Sequence, residues 1–543
     1  MLFVGAPMRA NHLIALLAVC IPGWALAQSS AAGVQGAANL PAPAGATQRF
    51  TITGFKVTGD NPLSADQTNR VLAPFVGNAD IVVLQQAMQA LENAFKAAGY
   101  ELNRVSLSPQ NLGANVELEV VRFAIGKIEV EGDAKFYSEA NVRAGLPELK
   151  EGEAPNFRRL SRQSTLSNEN PGKQVRIALR ESEEADKIDV RIALKESDPV
   201  SFAASLSNTG SSATGNDRLS LVASHANLFG RDHQASVAYT TSLERIREVT
   251  QLGVNYRVPL YQQGGLVGFS FTRSDVVGSF GSFTSTGAGQ TMGVNYNHYF
   301  EPQGARRTYL TVGLDQKRFI VAQVNGVPVP GQVDRVSRPL SVGYAAKIES
   351  DTAVWGYNAE LAANLPGGEG NDLAAYKTED TRIDRVNWWV LRGGAQFTGA
   401  LRAGWLWSGR TQWQIAPQPL ISGEQFGIGG STSVRGTGER PLSGDSGLSA
   451  TVEISTPELA PGLRLLGFVD GGWLTSRSTG GTSKVESDQL TGAGLGLRYA
   501  DSRFSVNLDW ARILRGSELP AVPGAGIPKS GDDRVHLNVS ARF

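Results

Sequence analysis

The sequence predicts an all-β transmembrane protein, a closed antiparallel barrel of about 16 strands, preceded by two small α+β modules. Three observations carry this. From Val200 to Phe543 the chain consists of short alternating segments, such as Leu252-Val254-Tyr256-Val258, Leu310-Val312-Leu314 and Leu495-Leu497-Tyr499, separated by Gly, Asn, Asp and Ser. Before that, Phe55-Lys56-Val57-Thr58-Gly59-Asp60 is echoed 73 residues later by Ile128-Glu129-Val130-Glu131-Gly132-Asp133, an internal repeat of a small module. Beyond the N-terminal segment no run reaches about 18 consecutive apolar residues, which excludes a bundle of membrane-spanning helices.

In chain order, residues 1–27 read as a secretory signal peptide: Arg9, an apolar run from Leu13 to Trp24, then Ala25-Leu26-Ala27 before Gln28. Cys20, the single cysteine, lies in that segment behind Val19, which is too large for the usual lipid-attachment motif. The exported chain is then free of disulfide and thiol chemistry. Residues 28–49 are rich in Ala, Gly and Pro without a period, and are expected to be a disordered tether.

The first module takes residues 50–122. Phe50 to Val57 alternates as a strand, Ser64–Leu72 and Val83–Ala98 read as helices, and Val105–Leu107 and Val116–Val121 read as strands. Leu84, Met88, Leu91 and Phe95 recur at helical spacing, as a core stripe does. The second module, 123–198, repeats the order with helices at Glu139–Ala144 and Arg158–Asn168 and strands at Gln174–Arg180 and Lys187–Leu194. The barrel takes 199–543. Sharing that stretch among 16 strands leaves about 21 residues each, enough for a strand of roughly 10 and its connection. The last strand reads Val535-Leu537-Val539-Ala541-Phe543 and ends on an aromatic.

Lys plus Arg and Asp plus Glu both number 51, so no strong net field draws the chain to nucleic acid. Gly444-Asp445-Ser446-Gly447 spells the surroundings of a trypsin-like serine nucleophile, but His225, His233, His298 and His536 all fall in or beside strands without a triad context. Histidines are too few and scattered for a metal site, nothing resembles a phosphate loop, and no cofactor is expected. The chemistry-bearing stretch is a glycine-rich loop, Gly429-Gly430-Ser431-Thr432-Ser433-Val434-Arg435-Gly436, with Phe468-Val469-Asp470-Gly471-Gly472 in a strand that follows. One cation sits on a flexible loop and one acid sits in an apolar run, a natural pair if the loop folds back.

Together these features closely resemble the outer-membrane transporters of two-partner secretion, the TpsB branch of the POTRA-barrel superfamily, of ShlB/FhaC/HecB type. The resemblance covers about residues 50–543. It rests most on the Val434-Arg435-Gly436 loop motif and the Phe468-x-Asp470-x-Gly472 strand motif, with further echoes at 97–100, 168–171, 227–232 and 444–453. It implies two periplasmic POTRA domains feeding a 16-stranded outer-membrane barrel, with the sixth extracellular loop, about 416–447, folded into the lumen so that Arg435 contacts Asp470. In a partly water-filled lumen such a pair is expected to be worth about 1 kcal/mol or somewhat more. It further implies a monomer in outer-membrane lipid that passes an unfolded secreted exoprotein, with Phe543 as the signal read by the barrel-assembly machinery and no catalytic residues. The alternatives are an outer-membrane protein assembly factor, which usually carries more than two repeats, and a passive porin or receptor. Two positions depart from the family pattern. Thr437 stands where the family usually has an aromatic residue, and the tether holds no evident helix to serve as the barrel plug of well-studied members.

Overall fold

The computed structural model describes residues 49–543, except 111–113, 212–213, 281–282, 322, 325–326, 329, 478–485 and 521–525. The expected signal peptide and nearly all of the expected tether therefore lie outside the described residues. Among those described, no helix is long and apolar enough to cross a membrane.

The first module comprises β1 (Gly54–Gly59), α1 (Ala65–Leu72), α2 (Ile81–Ala97), β2 (Asn103–Leu107) and β3 (Asn115–Arg122). Its sheet runs β1-β3-β2, with β1 parallel and β2 antiparallel to β3. α1 begins where it does because Ser64 and Gln67 form a reciprocal capping box. Asp80 caps α2 through the amides of Val82 and Val83. The stripe on α2 packs as core, with Leu84, Leu91 and Phe95 fully buried and Met88 at its margin. The strand expected from Phe50 to Val57 is split at Thr53. Phe50–Ile52 pairs with Gly77–Ala79, and the amides of Thr53 and Gly54 both donate to the Ala114 carbonyl as the chain changes partners.

The second module repeats the plan with β4 (Ala124–Glu131), α3 (Glu139–Ala144), α4 (Phe157–Ser167), β5 (Lys173–Glu181) and β6 (Lys187–Glu196), in the sheet order β4-β6-β5. Each module has its own apolar core between sheet and helices.

The barrel strands are β7 (Val200–Ser207), β8 (Arg218–Leu228), β9 (His233–Thr241), β10 (Gln251–Leu260), β11 (Gly265–Ser274), β12 (Gly289–Tyr299) and β13 (Arg306–Phe319). They continue as β14 (Arg335–Ser337 and Pro339–Glu349), β15 (Ala353–Asn364), β16 (Trp389–Ala400), β17 (Leu406–Ile415) and β18 (Ser446–Ser455). The last four are β19 (Leu463–Thr475), β20 (Ser487–Ala500), β21 (Phe504–Arg515) and β22 (Asp533–Arg542). β14 is interrupted at Arg338, just before Pro339, which has no N–H to continue the ladder. Counted as one strand, it gives sixteen in a closed antiparallel ring. Closure follows from the solvent: in hydrocarbon an unpaired sheet edge has nothing to bond to. β22 returns to β7 from Asn538↔Ser207 to Arg542↔Ala203, and Phe543 and Phe202 exchange backbone hydrogen bonds at 2.8 and 3.2 Å.

Alternation decides which residues meet lipid. Phe202, Leu206, Leu221, Val237, Val294, Val452 and Leu495 are all exposed on the outer face, and the register carries that parity from strand to strand. The intervening positions face the lumen.

The second module is joined to the barrel by a buried polar cluster. The turn after β8 places Asp232 against Lys173 of β5, and both side chains are almost completely shielded, at 1% and 0% exposure. Lys173 Nζ also donates to Asn141 Oδ1 at 2.9 Å, Asn141 Nδ2 donates to the Gly230 carbonyl at 2.8 Å, and Asn170 Nδ2 donates to the Ala226 carbonyl at 2.8 Å. The Tyr261 hydroxyl donates to Asp232 as well. Burial pushes the Lys173 ammonium below its usual value, and the Asp232 carboxylate opposes that shift. Replacing Asp232 by Ala leaves a buried ammonium without its anion, a loss of about 3–5 kcal/mol, whereas Lys173→Met with Asp232→Leu removes both charges together and restores most of it. Limited proteolysis of the connection at 197–200 checks this: cleavage should quicken in the single variant and slow again in the double.

Candidate functional site: the luminal loop and its anchors

Loop 6, the connection between β17 and β18, does not project outward. It makes a short hairpin, Phe426–Ile428 against Leu442–Gly444, and its tip turns into the lumen. Glycine is required at the turn itself: Gly436 has φ of 99°, a left-handed conformation that a side chain rarely adopts. Val434 is fully buried with Ile428, Leu442, Leu474, Leu490 and Ile513, so an apolar plug seats the tip before any charge acts.

That seating delivers Arg435 to the wall. Its Nε and Nη2 donate to Asp470 Oδ2 and Oδ1 at 2.8 and 2.9 Å, and its backbone N–H donates to Oδ2 at 3.0 Å. Nη1 reaches Glu453 at 2.7 Å and Asp509 at 3.4 Å. The guanidinium lies over the Phe468 ring, 3.3 Å from its centroid, a cation–π contact that covers one face. Asp509 is in turn held by Arg498 at 2.7 and 2.9 Å. The Gly436 N–H donates to His536 Nε2 at 3.1 Å.

The strand motif has a steric reason. A Cβ on Gly472 would meet Val434 at 3.0 Å and Ile428 at 3.1 Å, and one on Gly492 of the neighbouring strand would lie 2.7 Å from the Arg435 carbonyl. Phe468, Asp470 and Gly472 share the luminal face of β19 and supply stacking, charge and clearance in that order. Thr437, where an aromatic is usual, fastens the tip locally: its hydroxyl accepts from the Gly430 amide at 2.8 Å and donates to the Gly438 carbonyl at 2.9 Å.

The pair expected to be worth about 1 kcal/mol in a wet lumen is dry, with side-chain exposures of 4% for Arg435 and 0% for Asp470. Removing one partner of such a pair costs about 3–5 kcal/mol, because the other is left buried and uncompensated.

The neck of the loop has a second anchor that sequence reasoning did not single out. Glu424 is completely buried; Arg392 Nη2 donates to it at 2.8 Å, Ser337 Oγ at 2.7 Å, and Lys317 Nζ lies 3.1 Å away. Gln414 Nε2 fixes its backbone carbonyl at 3.0 Å. The neck is thus tied to β13, β14, β16 and β17, and the tip to β18, β19, β21 and β22. Strand parity turns Glu453 and Asp509 inward and is the signal that finds them, whereas Glu424 lies in a turn of the loop, Ser422–Glu424, where no parity marks it. The protease-like tetrapeptide is the return of loop 6: Asp445 accepts from the Leu420 and Arg477 amides, and Ser446 Oγ bonds to the backbone of Ala416. Phe543 lies at the barrel seam and is 76% exposed.

In Arg435→Ala the tip should come away from Asp470, and a cysteine placed at Ser431 should react with a membrane-impermeant maleimide about tenfold faster or more, a factor equivalent to about 1.4 kcal/mol. Arg435→Lys should fall between, since an ammonium lacks the two-pronged fork. Glu424→Ala should free the neck and leave the tip label slow.

Comparison with known proteins agrees with this architecture. Residues 186–499 match the family model for the haemolysin secretion/activation proteins ShlB/FhaC/HecB, and residues 50–122 match the ShlB-type POTRA domain. The outer membrane transporter CdiB of Escherichia coli is 26% identical over 84% of this chain and 77% of its own length, and CdiB of Dickeya dadantii is 24% identical over 85% and 82%. Solved structures of CdiB from Escherichia coli and Acinetobacter baumannii share the fold, with TM-scores of 0.73 and 0.68, identities of 22% and 19%, and coverage of 93% and 93%, and of 91% and 90%, of the two chains. The chain belongs to the ShlB/FhaC/HecB family of two-partner secretion proteins, outer-membrane transporters whose POTRA domains lie in the periplasm.

Proposed function

We propose that the protein captures one large unfolded exoprotein in the periplasm through the edges of its two modules and threads it through the barrel past a fixed loop 6. The observation that carries this is the buried Arg435–Asp470 anchor, which makes the loop a wall fitting inside a polar lumen and not a free flap. In each module the outer strands, β1 and β2 or β4 and β5, pair with another strand on one side only; the far side is capped at single points, Val105 by Glu92, Ile125 by the backbone at 152–153 and Val175 by Asn168. An extended segment can add to such an edge through main-chain hydrogen bonds that are indifferent to sequence. Folding of the exoprotein outside would then make the passage one-way without a nucleotide.

The reading includes no catalytic step and no cofactor. It treats the barrel as a monomer in outer-membrane lipid, and the exposed terminal Phe543 as the residue that the assembly machinery reads. Arg435 and Asp470 position the loop, and Val434, Gly436, Phe468 and Gly472 shape its seat.

Deleting the gene and comparing surface and supernatant proteins tests the reading. Loss of one large exoprotein with the other barrels unchanged is expected, and general loss of outer-membrane barrels would contradict it. Restoring Arg435→Ala or Asp470→Ala at equal surface abundance should cut secretion of that exoprotein about tenfold or more, as expected when more than 1.4 kcal/mol of positioning is lost. Secretion at the normal level from both would remove the proposed role of the pair.

A further inference from the structure

The luminal wall is chemically divided. On β7–β12 the inward positions read Ser201, Ser205, Ser224, Ser236, Asn255 and Ser270 with other small or uncharged residues between them, in continuous register from Ser201↔Ser224 through Ser236↔Asn255 to Asn255↔Ser270. Two charges interrupt that face, one at each end. Arg218 is folded onto the carbonyls of Gly215 and Asp217 at the outer end, and Arg257 stands at the inner end beside Gln234. Its own strands contribute no inward carboxylate, and Asp315 of β13 reaches over its edge at Gly293, beside Ser270. On β13–β22 the wall is dense in charge, and the two anchors of loop 6 use much of it. The anchors that fix the tip and neck of loop 6 reach β13–β22.

At the periplasmic end the face opens into a cavity of about 420 Å³, lined by Gly172 of the second module, by Ser197 and Asp198 of the connection, and by Ser224, Ser236 and Arg257, so its two charges, Asp198 and Arg257, stand at the mouth. A chain released from the second module meets this face first.

Resting on the transport reading above, we propose that an extended, uncharged polypeptide segment crosses along the serine- and asparagine-lined face of β7–β12, while loop 6 stays fixed against the opposite wall. The chemistry suits the cargo. An extended backbone presents an N–H and a C=O at every residue, and hydroxyl and amide side chains both donate and accept, so they can replace lost water at each step without a preferred sequence. Between Asp315 at its edge and Asp198 at its mouth, the face offers no acid with which a passing cation would pair and lodge. On the charged wall the groups that anchor loop 6, among them Lys317, Arg392, Glu453 and Asp470, are already engaged with the loop.

The test uses the full chain in proteoliposomes with p-benzoylphenylalanine at one position per variant: Ser224, Ser236 or Ser270 on the uncharged face, and Ser341, Gln396 or Gln412 on the other. The probe is a fluorescent Gly/Ser/Asn/Thr peptide of about 40 residues, which at ~3.3 Å per residue exceeds the ~30 Å hydrocarbon thickness. After irradiation, adducts from the first three positions should outnumber those from the second three by about tenfold, a preference of roughly one net hydrogen bond. Equal yields from both walls, or an excess from β14–β17, would overturn the uncharged path and leave the transport reading intact. No adduct at any position would overturn both.

Discussion

Arg435 sits with almost no water around it among Asp470, Glu453 and Asp509, and much of the lumen is arranged to satisfy that one guanidinium. A buried cation needs anions with fixed geometry. β19 provides a two-pronged acceptor, and β18 and β21 provide single oxygens. The aromatic face of Phe468 covers what the acids leave open, and glycines on β19 and β20 let the loop come close enough for the contacts to form. The acid excess of the cluster is offset in part by Arg498, so the site is a network in which removal of one member leaves several others strained.

That network has a counterpart at the neck, where Glu424 is the buried anion and Lys317 and Arg392 are the cations. One loop is held at its tip by its own cation and at its neck by its own anion, each against charges borne by the wall. Two anchors of opposite sign at different depths fix position and orientation, which a single ion pair cannot do. The result is an asymmetric lumen, with the side that holds the loop charged and the opposite side lined by hydroxyls and amides. The Lys173–Asp232 cluster extends the same logic to the periplasmic mouth, where it sets the second module against the barrel.

Much of this was legible in the sequence because periodicity survives folding. The helix stripe at Leu84, Leu91 and Phe95, the repeat from Phe55 to Ile128 and the outward alternation ending at Phe543 are local patterns, and local patterns translate directly into burial. Arg435 stood out as a lone cation among glycines and Asp470 as a lone acid in an apolar run. Asp509 did not stand out because many acids share its parity, and Glu424 did not because it lies in a loop turn without parity; only the closed ring brings strands so distant in the chain onto one guanidinium or one neck. Asn168–Pro171 and Asn227–Asp232 were visible as echoes, yet their meeting around Lys173 depends on how the second module sits on the barrel. The dryness of the Arg435 pair was not legible at all, since burial comes from Val434 and its apolar neighbours packing over the tip.

The central claim is that loop 6 serves passage while staying in place, and a reversible covalent lock tests it most directly. Cys20 is the single cysteine of the sequence, so in a Cys20→Ser background Val434→Cys with Gly472→Cys would join the loop tip to β19 where the two side-chain positions already touch. Secretion of the exoprotein lost in the deletion strain is then compared under oxidising and reducing conditions. The account predicts equal secretion with the lock closed or open. Secretion that stops on oxidation and returns on reduction would contradict it, because the loop would then have to leave the wall for the chain to pass.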